Sequence, residues 1–179
     1  MPQVLVYFVS DSNLFLKAIS PMKVKFMIMI TSAWLFMTMT VDFLVLPKAF
    51  RLIGDIWLAG SLGIEIFRNF NPLEVVFAGT LVVLTYRESK RLTPKLILPI
   101  FLLCIALSYQ LYFTPNITAT TRVIMELKGQ STPLLSRAFS DHHFFHSNYV
   151  RLDGVKLLCL LVFLGIIMLP SNWTMRKKG

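Results

Sequence analysis

An all-α polytopic membrane protein is what the sequence predicts: a membrane four-helix bundle with an interfacial amphipathic helix between spans one and two. Three observations carry that prediction. Apolar residues make up 55% of the 179 residues and charged residues 15%, against about a quarter charged in ordinary soluble chains. The mean hydropathy is +0.66. The apolar residues gather into long, nearly uncharged runs, and Lys and Arg collect at the edges of those runs.

Residues 1–22 read as an N-terminal cytoplasmic segment, and Met22, opening "MKVKF", is an alternative start just before the first apolar run. The membrane domain then occupies 23–170, followed by a basic cytoplasmic tail over 171–179. The first span is 26–46, "FMIMITSAWLFMTMTVDFLVL", with Asp42 its one ionisable side chain. Its 21 residues, at about 1.5 Å each, just cross a hydrocarbon core about 30 Å thick. Residues 49–69 are apolar with interspersed charge and predict an amphipathic helix lying at the interface. Pro72 favours a break after it, and the second span runs over 72–86. The third, 96–113, carries Pro99, which predicts a kink near its start. The fourth, 153–169, becomes long enough only by taking Asp153 and Lys156 at its edge.

Orientation follows from the basic residues. With four spans, one side receives Lys17, Lys23, Lys25, Arg87, Lys90, Arg91, Lys95, Arg176, Lys177 and Lys178 in short segments, and the longer loops opposite carry fewer. The positive-inside rule then places both termini in the cytoplasm of a cell (inner or plasma) membrane. The net charge of +9 predicts contact with anionic lipid headgroups on that side. A nucleic-acid partner is excluded, because the basic residues form no stripe interleaved with aromatics. Cys104 and Cys159 sit singly in apolar runs, which predicts neither a disulfide framework nor a zinc motif. Nucleophile motifs and glycine-rich phosphate loops are absent, so the chain leans away from an enzyme. Four short helices make a thin bundle, which predicts a homo-oligomer or a membrane partner.

The polar residues inside the spans carry the functional question, since ionisable groups are expensive in hydrocarbon. Thr31, Leu35, Thr38 and Asp42 share one face of the first span at helical spacing. His142, His146, Tyr149, Asp153 and Lys156 share a face of the last helix, and all three histidines fall within 142–146. The topology draws Asp42, Glu74, His142, His146, Asp153 and Lys156 toward one outward-facing layer. One reading is structural: Asp42, Glu74 and Lys156 form a polar layer that fixes helix packing, with Asp42 and Lys156 neutralising each other. Another is a divalent metal site on His142, His146, Asp153 and Asp42, since histidines at i and i+4 can ligate one ion. A third is proton handling by the histidines. No cofactor beyond that metal is implied.

The stretch "PKAFRLIGDIWLAGSLGIEIFRNFN" after the first span and the approach "HHFFHSNYVRLDGVKLL" to the last helix resemble domain-of-unknown-function family 4149, small four-span membrane proteins. The resemblance covers roughly residues 26–169 and implies a four-helix integral membrane fold with no established activity. The expected function is therefore a structural or accessory membrane component. The rival expectation is binding or transport of a divalent metal or a proton-coupled solute through the outward-facing His/Asp cluster.

Overall fold

A computed structural model describes residues 3–89 and 94–169, and the described residues are all helical apart from short connections. The basic hairpin residues Lys90 and Arg91 and the expected tail 171–179 lie outside the described residues. The helices form four rods. Rod one joins α1 (Gln3–Thr40) to α2 (Leu46–Ile53) through a wide turn at Val41–Val45, and α3 (Ile56–Ser89) is rod two. Rod three joins α4 (Pro94–Ser108) to α5 (Thr114–Glu126) through a wide turn at Tyr109–Phe113, and α6 (Pro133–Met168) is rod four. Rod one passes through residue 22 without interruption.

Rods one and three are built alike. In each wide turn a backbone N–H reaches the carbonyl five residues back, Leu46 to Val41 in one and Thr114 to Tyr109 in the other. Pro47 or Pro115 follows at once in the new helix. Proline has no N–H to extend the ladder, and in each rod that missing link falls at the wide turn. The π-type turn shifts the ladder by one residue, so the rod re-aims without breaking.

Helix continues past the first and third apolar runs, through Pro47 and Pro115. The break expected at Pro72 is corrected, because Pro72 lies inside α3. Its missing bond to the carbonyl of Arg68 is one lost link in a helix of 34 residues that packs along α1 and α4. The separate amphipathic helix expected over 49–69 is also corrected. Gly54, at φ 68°, ends α2 in the left-handed conformation that glycine tolerates. Asp55 then caps α3, its Oδ1 accepting from Trp57 N at 2.8 Å and Leu58 N at 3.3 Å. Thr132 caps α6 in the same way through Leu135 N.

Each rod touches two neighbours: α1 packs on α3 and α6, and α4 packs on the same two. The core between them is apolar, with Met27 and Trp34 of α1, Ala78 and Leu81 of α3, Leu102 of α4 and Phe163 of α6 among its members. On α6 the buried positions Tyr149, Asp153, Lys156, Leu160 and Phe163 recur at steps of four and three, so one helix face passes from polar to apolar without turning away from the core.

Candidate functional site

Five side chains from three rods meet where that face changes character. Lys156 of α6 places Nζ 2.6 Å from Glu74 Oε1 of α3 and 2.5 Å from Asp153 Oδ1. The first is an aligned hydrogen bond. The second is a close ionic contact within one helix, at i and i+3. Trp34 of α1 donates its indole N–H to the same Glu74 oxygen at 2.9 Å. Asp42, in the wide turn of rod one, brings its carboxyl within hydrogen-bonding reach of Asp153. Glu74 and Lys156 are 0% and 1% exposed, so this pair has no access to solvent and its members depend on one another.

Acid outnumbers base in this layer, with three carboxyl groups around one ammonium. Glu74 Oε2 and Asp42 Oδ2 have no hydrogen-bond partner among the described residues, and neither does the buried hydroxyl of Thr38 or Tyr109. The ammonium also stands over the Tyr109 ring, 5.2 Å from its centroid, where the ring's negative face attracts it.

A second polar group lies toward the α2 end of the molecule. Asn71, fully buried on α3, donates Nδ2 to Thr114 Oγ1 of α5 at 2.7 Å, and its Oδ1 accepts from the Tyr149 hydroxyl of α6 at 3.2 Å. One amide thus ties three rods together. Tyr149 packs against Tyr109 and Phe67 in tilted pairs, with ring centroids 4.3 and 5.1 Å apart, making a floor of rings above the ionic layer.

The histidines stand beyond that floor. His142 and His146 stack with centroids 5.8 Å apart and planes 14° from parallel. His142 Nδ1 lies 3.3 Å from the hydroxyls of both Thr120 and Thr121. The Thr121 hydroxyl donates its one proton to the Ile117 carbonyl at 2.7 Å, so its contact with His142 is satisfied when Nδ1 carries the imidazole proton, an assignment made from this network. Burial against apolar neighbours, then the nearby imidazoles His146 and His143, hold the His142 pKa below its ordinary value. His146 keeps part of its surface in solvent, yet desolvation by the surrounding apolar groups, followed by His143, lowers it too. Both rings are thereby kept neutral near pH 7.

The four residues expected as metal ligands consequently fall into two groups. Asp42 and Asp153 belong to the ionic layer, whereas His142 and His146 belong to the group beyond Tyr149. His146 and Asp153 are separated by seven residues of continuous helix, about 10 Å of rise, while a zinc ligand stands about 2 Å from its ion. Among the described residues no three His, Cys, Asp or Glu side chains are placed to hold a metal ion. The expected pairing of Asp42 with Lys156 is also corrected: the ammonium is bridged to Glu74 and Asp153. Sequence reasoning missed Trp34 and Asn71; Trp34 carried a signal, an indole N–H inside the predicted span 26–46 that burial obliges to find a partner, whereas Asn71 fell in the expected break between 69 and 72. Two segments, Met22–Ile53 and Lys95–Glu126, are long and apolar enough to cross a membrane. Compared with known proteins, the chain matches no family model, no curated protein and no solved structure.

Proposed function

We propose that the chain is an integral membrane protein of four spans, a structural or accessory component whose rods are locked together by the Asp42–Glu74–Asp153–Lys156 layer. The observation that carries this reading is an inversion of polarity. Glu74, Asp153 and Lys156 are buried, while Phe36, Val76, Ile97 and Leu158, one on each rod, are 72%, 62%, 64% and 62% exposed on the outside. Water disfavours such an exterior, and lipid favours it. The reading extends the two apolar segments to all four rods, with both termini in the cytoplasm of the cell membrane, basic ends against anionic headgroups, and family 4149 as its place on the sequence resemblance alone.

Rod length supports the same picture. At about 1.5 Å per residue, α3 with 34 residues and α6 with 36 run to roughly 50 Å, about 20 Å more than a hydrocarbon core. The excess lies on the α2 and α5 side, where the charged residues Glu65, Arg68, Arg122 and Arg137 occur. Alkaline extraction of membranes from expressing cells tests the reading. Retention in the membrane pellet is expected, and recovery in the soluble fraction refutes it.

A second reading, proton-coupled transport, is favoured by the three carboxyls that share one ammonium. It is tested by proton uptake into proteoliposomes with wild type beside Asp42→Asn. Uptake abolished by that substitution supports it, and no uptake above empty liposomes refutes it.

A further inference from the structure

Beyond the ring floor lies a cavity of about 410 Å³ that the packing role leaves unused. Small-molecule sites occupy roughly 300–1,000 Å³. Leu46 and Phe50 of α2 form one wall, and the glycines Gly60 and Gly63 of α3 adjoin it. Opposite stand Ile117 of α5 with Phe139 and the histidines of α6. Trp57 and Phe139 meet at 5.8 Å and close the far end. Although α2 packs on α3, it touches neither α5 nor α6, so the cavity opens where rod one, re-aimed by its wide turn, stands off from α6.

The lining decides the class of occupant. No Lys, Arg, Asp or Glu contributes to it, so an ionic ligand would find no carboxylate, ammonium or guanidinium as counter-charge. At about 30 Å³ per molecule the space equals on the order of a dozen waters, each needing two to four polar partners. The walls cannot supply that many. Thr114 accepts from Asn71, and Tyr149 and Thr121 donate to Asn71 and Ile117, so these groups are largely engaged within the protein. His146, by contrast, forms no hydrogen bond among the described residues, leaving one polar patch in an otherwise apolar chamber. A Cβ built on Gly60 would meet nothing within 4 Å, which means that a side chain there projects into open space.

We propose that this cavity binds a neutral single-chain amphiphile, with its hydrocarbon chain among Phe50, Trp57 and Phe139 and its hydroxyl or carbonyl end at His142 and His146. The proposal rests on the membrane-spanning reading, because the amphiphile is held in the bilayer and reaches the chamber at the bilayer surface, through the gap between α2 and α6.

The test is photolabelling of the full chain in phosphatidylcholine nanodiscs with a diazirine-bearing monoacylglycerol, mapped by peptide mass spectrometry. Labelling is expected on peptides containing residues 57–67 and 139–146, competed by excess unlabelled monoacylglycerol. In Gly60→Leu, which fills the chamber, it should fall by about tenfold or more, the equivalent of about 1.4 kcal/mol. A fatty acid of the same chain length, anionic at pH 7.5, should label these peptides far less. Labelling that excess competitor leaves unchanged in the wild type overturns the proposal whether or not the variant folds, and equal labelling by the fatty acid overturns the neutral class. A parallel sample with diazirine phosphatidylcholine reports the spans separately. If it fails to label 26–46 and 96–113, the membrane reading fails. If it labels them while the monoacylglycerol stays uncompeted, only the cavity proposal falls.

Discussion

Replacing Lys156 with methionine isolates what holds the rods together. Methionine keeps most of the side chain's volume and apolar stem and removes the ammonium. Glu74 and Asp153, bridged to Nζ at 2.6 and 2.5 Å, then face each other and Asp42 with no positive partner. Breaking a buried pair by removing one member costs about 3–5 kcal/mol. For a chain of this length, about 2–4 °C per kcal/mol translates that into a fall in apparent melting temperature of roughly 6–20 °C. Asp42→Asn is the informative companion. It removes one of three carboxyls from around a single ammonium and leaves both ion pairs intact, so its melting temperature should stay within about 3 °C of wild type, a cost of less than about 1 kcal/mol. Thermal unfolding of the purified proteins in one detergent, followed by circular dichroism, reads both. If Lys156→Met melts with wild type, or if Asp42→Asn proves the more damaging of the two, the ionic layer is not what fixes the packing.

Three further outcomes are expected. Trp34→Phe deletes the indole donor to Glu74 and leaves that carboxylate one partner short, which should cost about 1.5–3 kcal/mol in the same assay; an unchanged melt would show the hydrogen bond to be dispensable. Asn71→Ala strips the Thr114 and Tyr149 hydroxyls of a shared partner, and a loss of about 1–3 kcal/mol is expected, with Asn71→Gln recovering little because the longer amide misplaces both contacts. His142 and His146 both titrate below their ordinary value in the folded chain. Protons therefore bind the unfolded chain first as pH falls, so the contribution of these rings is complete above about pH 6.5 and is lost as pH drops through the folded values. Melting curves at pH 7.5 and 5.5 should diverge less in His142→Gln/His146→Gln than in wild type, and equal divergence would remove the histidines from the account.

The pattern of apolar runs made much of the helical organisation legible, because length and composition alone identify segments such as 26–46 and 96–113. Helix ends were not legible at Pro47, Pro72 and Pro115. A proline's local cost is visible in sequence, whereas the wide turns and the inter-rod packing that absorb it are set by residues far away in the chain. The seam on α6 could be read from steps of four and three, and Tyr149, Asp153 and Lys156 do face the interior. Spacing fixes a shared face but says nothing of which rod supplies a partner at each level. Hence His146 and Asp153 were gathered into one site, although the Tyr149–Asn71–Thr114 tie lies between them. Trp34 and Asn71 carry no formal charge, so the partners they take, which matter only once burial removes water as an alternative, could not be named from the sequence.

The four-span arrangement itself is tested most directly by cysteine accessibility on intact cells, with Cys104 and Cys159 changed to serine and single cysteines introduced at Ser140, Lys128 and Glu88. A membrane-impermeant maleimide should label Ser140→Cys and Lys128→Cys from outside, and Glu88→Cys only after permeabilisation. Labelling of Glu88→Cys together with Ser140→Cys on unbroken cells would place both ends of the rods on one side and contradict the account.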